Sequence, residues 1–304
     1  MMIFPEFPAH LGVRAITSSI HTPTNLALRS SGIYVRADAS DWQYHWPMHT
    51  HEGVEVYFFI QGQANYVVGD DIYDLLPGDM LLFRGSIMHR VNPSRGTPYL
   101  RSYVNFMPSF IQDQAPKELT GKLLALFDSP SGLLIRWLPD EREEIKNCFR
   151  MMQQEKEKEP FGHEYMLKTH LLQLLIRIYR KSKRLPDLSP LQQPSQTQAT
   201  VRRILQYLNQ HFTDNLNLDR IAKALHLNKY YMCHCFKEVT GYTINNYLMS
   251  KRIEEAKKLL LTSDHPIGAI SEMLGFNTSV HFSRTFKQFA GASPQAFRKV
   301  SADR

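Results

Sequence analysis

The stretch HTHEGVEVYFFIQG, His49 to Gly62, sets two imidazoles two residues apart, a carboxylate four residues after the second, and a glycine at the end of an aromatic run. On an extended strand positions i and i+2 share a face, so His49 and His51 point the same way and Glu55 keeps their parity. Downstream, PGDMLLFRGSIMHRV adds His89. Three imidazoles and a carboxylate suit Zn, Fe or Mn. The same four side chains also suit a metal-free pocket that hydrogen-bonds an organic ligand, or a packed barrel in which each is simply satisfied. Trp46 and Tyr57 lie close enough in sequence to offer a stacking face for a sugar. The chain has no phosphate-binding glycine loop and no second acid–base pair, so no residue is assigned as catalytic.

Residues 30–107 must position these groups, and they read as strands. GIYVRA, EVYFFIQG, ANYVVG, DMLLFRG and YLRSYVNF are short Val-, Ile-, Tyr- and Phe-rich runs punctuated by Gly, Pro and Asp. That spacing predicts a small barrel or sandwich. Near residue 139 the period becomes helical. Ile145, Cys148, Phe149 and Met152 form one apolar stripe, and Leu167, Leu171, Leu174, Leu175 and Ile178 form a second. The stripes must bury on the strand domain or on the same helices of a second subunit, and their breadth predicts a dimer interface. LPDLSPLQQPSQTQA, residues 185–199, has no periodicity and carries Pro186, Pro190 and Pro194, as a linker does.

The charge balance shifts at the same place. Residues 1–194 hold 21 Lys+Arg and 21 Asp+Glu, whereas residues 195–304 hold 15 and 8, so the whole excess of +7 lies in the last third. Clustered positive charge is what phosphates reward. A chain of 304 residues accommodates two domains, and 43% hydrophobic with 21% charged residues excludes a disordered or collagen-like chain. Three cysteines, Cys148, Cys233 and Cys235, read as reduced thiols of a cytoplasmic protein. MMIFPEFPAHLG lacks the features of a signal peptide, and no run of apolar residues is long enough to span a membrane.

The last hundred residues repeat themselves. LHLNKYYMCHCFKEVTG aligns with LGFNTSVHFSRTFKQFAG, pairing Leu225 with Leu274, Asn228 with Asn277, Phe236 with Phe286, Lys237 with Lys287 and Gly241 with Gly291. Each copy is a short helix, a tight turn and a second helix, the geometry of a helix-turn-helix. In the first copy Ile221, Ala222 and Leu225 face inward, Asn228 is a good N-cap and Gly241 a good terminator. INNYLMSKRIEEAKKLLLTS, between the copies, predicts a long connecting helix.

Over residues 200–299 the sequence resembles the AraC/XylS transcription regulators, most specifically in the GF followed by FSRTFK and G-x-SP-x-x-FR. The resemblance implies that Lys229, Tyr230, Cys233 and His234 of the first recognition helix face the major groove, as do Ser279, Val280, Ser283 and Arg284 of the second. Arg284 suits guanine O6 and N7, and Lys237 and Lys287 suit phosphates. The family often has Arg at the place of His234 and a polar group at that of Cys233. H-x-H-x3-E-x6-G is similar to the first motif of the cupin superfamily, a small β-barrel, over residues 33–106. The second motif is looser: His89 fits, Asn92 falls one residue early and Arg84 replaces an expected proline. In AraC-type regulators such a barrel resembles an effector pocket, commonly for sugars and usually without metal.

The expectation is therefore a two-domain α+β chain. Residues 1–138 form a cupin-like effector-binding barrel, 139–184 a helical dimerisation or relay segment, 185–199 a linker and 200–304 an all-α tandem helix-turn-helix. Its expected partners are double-stranded promoter DNA, a small effector such as a sugar, a second copy and RNA polymerase. The resemblance implies activation of carbohydrate-use genes. No cofactor is expected, with a divalent transition metal at His49, His51, Glu55 and His89 as the exception. The alternative is a metal-dependent cupin enzyme fused to a helical domain.

Overall fold

The computed structural model describes residues 23–41, 48–184 and 195–302. Trp46 and residues 185–194 of the expected linker lie outside the described residues. After α1 (Pro23–Ser31) come eight strands: β1 (Ile33–Ala39), β2 (Val54–Gln61), β3 (Ala64–Val68), β4 (Asp71–Leu75), β5 (Asp79–Arg84), β6 (His89–Pro93), β7 (Leu100–Phe106) and β8 (Leu133–Arg136). Short helices α2 (Ser109–Gln112) and α3 (Lys117–Leu124) separate the last two strands.

The strands form a five-stranded sheet, β1-β7-β2-β5-β8, and a three-stranded one, β4-β3-β6, all antiparallel. Period-2 alternation sorts their side chains. Tyr57, Phe59, Leu81 and Phe83 turn inward to meet Tyr66, Val68 and Val91 of the smaller sheet. Val54, Val56, Phe58, Met80 and Leu82 turn outward. Because β2 is covered on both faces, it reads as a nearly unbroken apolar run.

The outward face is covered by α4 (Arg142–Lys158) and α5 (His163–Arg184). Ile145, Phe149 and Met152 of α4, and Leu167, Leu171, Leu174, Leu175 and Ile178 of α5, are buried in one core with that sheet. Both stripes are thus buried on the strand domain, one of the two destinations the sequence offered, rather than left open for a second subunit. Cys148 is only half-buried at the stripe's margin. At and just after the turn between α4 and α5, Phe161 (107%), Tyr165 (70%) and Met166 (40%) face solvent.

The C-terminal domain comprises α6 (Gln196–His211), α7 (Leu218–Leu225), α8 (Lys229–Thr240), α9 (Ile244–Thr262), α10 (Ile267–Met273), α11 (Ser279–Ala290) and α12 (Pro294–Ala302). Helix α6 starts earlier than the linker reading allowed. Ser195 and Gln198 form a capping box, so the last residues of the supposed linker already belong to the helix. Asn228 caps α8 as expected. In the second unit the N-cap is Thr278, not Asn277. Cap matches cap and Gly241 matches Gly291 at one constant offset, so the extra residue of the second unit sits in its turn.

The two units have separate cores. Phe282, Phe286, Ile270 and Phe297 build the second. The first, around Phe236, Met232, Ile204 and Leu205, also takes in Met48, Val67 and Met88 from the barrel. The barrel is therefore packed against the first helix-turn-helix unit.

Candidate ligand site and nucleic-acid interface

Residues 49–51 run beside β6: His49 and His89 exchange backbone hydrogen bonds of 3.1 and 3.0 Å, and the His51 N–H donates to Gly85 O at 2.8 Å. The His51 ring lies flat against Gly85, where an added Cβ would stand 2.2 Å from Nδ1, so only glycine leaves the ring its place. A turn at 52–53 then leads into β2. It brings Glu55 under His51, with Nε2 to Oε2 at 2.8 Å. Strand pairing sets Glu55 opposite Asn105 of β7, whose Nδ2 donates to Glu55 Oε2 at 2.8 Å and to His51 Nε2 at 3.0 Å. Tyr66 Oη donates to Glu55 Oε1 at 3.4 Å.

The ring protons are set by main-chain carbonyls. His51 Nδ1 donates to Glu52 O at 2.8 Å, and His89 Nδ1 to Ile87 O at 2.7 Å. Both imidazoles consequently turn Nε2 toward Glu55 Oε2, at 2.8 Å for His51 and 3.8 Å for His89. Burial, followed by the charges of His49 and His51, holds the His89 pKa well below its ordinary value, so this imidazole is neutral. Its Nε2 makes no hydrogen bond, nor does the buried Asn105 Oδ1. The unpaired Nε2 of His89 facing a carboxylate calls for a positive or donating species at this point: a proton, a cation, or a ligand's O–H or N–H. Ligand atoms of His51, Glu55 and His89 all lie within 4.8 Å of one another.

The structure thus gathers three of the four expected ligands. His49 is a neighbour, its ring centroid 4.4 Å from that of His89 and 6.2 Å from that of His51, but it stands outside the compact trio. Tyr57 is not an open stacking face. Its ring is 3% exposed and meets Tyr66 edge-on at 4.8 Å, and its hydroxyl bonds Tyr99 at 2.7 Å. Asn105 escaped sequence reading because only the β2–β7 register brings it to Glu55, and Tyr66 because it reaches Glu55 from the other sheet.

On the other side of the same strands lies the DNA-binding domain. Between His49 and His51, Thr50 Oγ1 donates to Glu254 of α9. Next to His89, Arg90 donates to Thr240 O at the C-terminus of α8 and lies 5.0 Å from the Tyr242 ring. Asn92 Nδ2 donates to Glu238 O at 3.2 Å and Val239 O at 3.1 Å. Arg202 pairs with Asp71 and Asn209 donates to Asp70, tying α6 to the β3–β4 end.

The residues expected to meet DNA fall in equivalent places on α8 and α11. Tyr230, His234 and Lys237 are exposed on α8, as are Ser279, Val280, Arg284 and Lys287 on α11, with Lys229, Cys233 and Ser283 half-buried beside them. His234 occupies the position that Arg284 holds in the second unit. Lys229 is held by Asp219 at 2.9 Å, and His234 lies 3.7 Å from Glu238. The docked barrel leaves this face uncovered. Together these positions give exposed helical faces that carry Lys237, Arg284 and Lys287.

The family description "AraC-like ligand binding domain" matches residues 32–175, and "Helix-turn-helix domain" matches residues 221–300. The HTH-type transcriptional regulator YbfI of Bacillus subtilis is 29% identical over 235 residues, 77% of this chain and 80% of that protein. The arabinose operon regulatory protein of Escherichia coli is 34% identical over 99 residues, which is 32% of this chain and 34% of that protein. Among solved structures, the C-terminal domain of AraT from Geobacillus stearothermophilus is 33% identical, with a TM-score of 0.33, over 38% of this chain and 88% of that one. No described helix is long and apolar enough to cross a membrane.

Proposed function

The chain belongs to the AraC-type transcription regulators, with a ligand-binding domain and a DNA-binding helix-turn-helix domain, and on that premise we propose that a small effector held at His51, Glu55 and His89 controls how α8 and α11 meet promoter DNA. The observation that carries this reading is the placement of the unsatisfied acceptor His89 Nε2 on a strand whose next residue, Arg90, bonds the DNA-binding domain. Strand alternation turns His89 into the pocket and Arg90 out to α8, and Thr50, flanked by two pocket histidines, out to α9. A ligand that shifts these strands acts on both faces at once. It then binds the docked and undocked arrangements unequally, which is what a population shift requires. The relatives are regulators, and the fused-enzyme alternative is not carried forward.

The finer reading is a sugar effector and activation of carbohydrate-use genes together with RNA polymerase. In its support stands the similarity to a regulator named for an arabinose operon. We place the chain in the cytoplasm as a homodimer, joined through the exposed Phe161, Tyr165 and Met166 at the α4–α5 turn. A second reading has its own observation. Two imidazoles with carbonyl-fixed tautomers, aimed at one carboxylate, are how proteins hold a divalent transition metal, and His51, Glu55 and His89 would be its ligands.

Elemental analysis of the untagged protein separates the two readings, followed by thermal-shift titration with a panel of sugars. About one transition metal per chain supports the second reading, and a metal-free protein stabilised by a sugar supports the first. A His89→Ala variant that regulates its promoter as the parent does would remove the pocket from both.

A further inference from the structure

Helix α9 is buried on both sides, and several of its polar residues are buried with it, Arg252 among them at 5% exposed. The Arg252 guanidinium makes three hydrogen bonds, all to main-chain carbonyls. Nε donates to Phe212 O at 2.6 Å and Nη2 to Asp214 O at 2.6 Å, both in the α6–α7 turn of the first unit. Nη1 donates to Gly275 O at 2.9 Å, in the α10–α11 turn of the second. The guanidinium also sits 5.5 Å from the ring centroid of Phe276.

Around it the two turns touch directly. Gly275 has φ +73°, and a Cβ there would lie 2.1 Å from Thr213 O of the first unit. Phe212, from the first unit, packs against the core of the second. Arg252 thus bonds main-chain atoms of both turns from a single side chain.

We infer that Arg252, seated on Gly275, is a positioning residue that fixes the distance and angle between α8 and α11, and so sets the spacing between the two DNA segments the chain reads. This rests on the reading that both helices enter the grooves of one duplex. The planar fork suits such a junction, because three separate nitrogens hold three carbonyls in fixed directions, whereas an ammonium offers its donors from one freely rotating point. Each unit keeps its own apolar core without Arg252, so loosening this junction frees the units relative to one another rather than unfolding them.

The test uses the full-length chain and a duplex recovered by selection from a random pool with the unaltered protein. Derivatives carry one or two base pairs inserted between the two protected segments. Each inserted base pair rotates one segment by about 34° relative to the other. The unaltered protein should lose roughly tenfold to a hundredfold in affinity when the second helix loses its base contacts. Arg252→Lys should bind the original duplex more weakly yet discriminate among spacings by no more than about twofold, within what distant sites show by simple additivity.

Gly275→Ala attacks the same junction from the other side and should also flatten the spacing profile. An equal fold-loss on every duplex would mean that Arg252 only supports the fold. An unchanged profile in Arg252→Lys would likewise overturn the inference, and if that variant does not fold, an unchanged profile in Gly275→Ala overturns it. Failure of the underlying reading looks different: the unaltered protein would protect a single segment, and Arg284→Ala would leave affinity intact.

Discussion

Replacing Arg90 by alanine should loosen the barrel from the first helix-turn-helix unit. Arg90 is 2% exposed and donates to Thr240 O at 2.5 Å while lying 5.0 Å from the Tyr242 ring centroid. A charged donor on a carbonyl contributes about 1.5–3 kcal/mol, and a desolvated cation over an aromatic ring about 1–2 kcal/mol. Against this stands the cost of burying the guanidinium, whose pKa is lowered by desolvation. A net of ~2 kcal/mol changes the ratio of docked to undocked molecules about 30-fold. Asn92→Ala adds the loss of two neutral bonds to Glu238 O and Val239 O, for ~3 kcal/mol together and a ratio change of about 150-fold. Hydrogen exchange reads the effect directly, because opening free energy scales amide protection. Peptides covering β3, β6 and the last turn of α8 should exchange faster by these factors, while α10 and α11 keep their protection. Unchanged exchange in a well-folded double variant would refute the reasoning, since the contact would then not be holding the domains together.

Arg284→Ala should weaken specific DNA binding by about 1–3 kcal/mol and spare the fold; an unchanged affinity in a gel-shift titration removes Arg284 from the interface. His51→Ala should abolish the effector response while residues 195–304, expressed alone, still bind DNA, and a normal response moves the pocket elsewhere. Burial pushes the Tyr99 phenol up to about 12, whereas an unfolded phenol titrates near 10. The folded chain therefore keeps a proton that the unfolded chain releases, and stability is full below about pH 10 and falls by up to ~3 kcal/mol as pH rises to about 12. Denaturant titrations across that window should show the decline, and a flat profile contradicts it. Phe286→Ala opens a cavity in the second unit's core and should cost about 3–5 kcal/mol there, exposing α11 to exchange but leaving α4 and α5 protected.

Elements with a strong period were legible in the sequence. Strand β2, the stripes of α4 and α5, and the repeated helix-turn-helix units with caps at Asn228 and Gly241 were all readable from residue order, because local chemistry determines them. Strands β4, β6 and β8 were not. DIYDL and HRVNP carry polar residues on the face that turns away from the barrel interior, so alternation there looks like loop. The candidate pocket was half legible. His51, Glu55 and His89 carried a spacing signal, but Asn105 joins them only through strand register and Tyr66 only through the packing of the two sheets, and His49 shares parity without joining the trio. Least legible was the destination of the apolar stripes. Their breadth is the same whether they cover a second subunit or the chain's own sheet, and only the tertiary fold chooses the sheet. The buried polar residues of α9 gave no signal for the same reason: an arginine at its middle reads as solvent-facing until two turns close over it.

The tandem arrangement of the two units gives the DNA contact a direction. Two subunits related by a two-fold axis read a palindrome, which looks the same from either end. Here α8 and α11 follow one another along one chain and present different side chains at matching places, Lys229 against Ser279 and His234 against Arg284. A duplex engaged by both has a near and a far end. Among the described residues the barrel packs its apolar side chains on the core of the first unit, so it travels with the near end. Inverting the site in a promoter would carry the barrel, and whatever it touches, to the opposite flank without altering a single base contact. Orientation of the site is thus a variable that affinity measurements on short duplexes do not see.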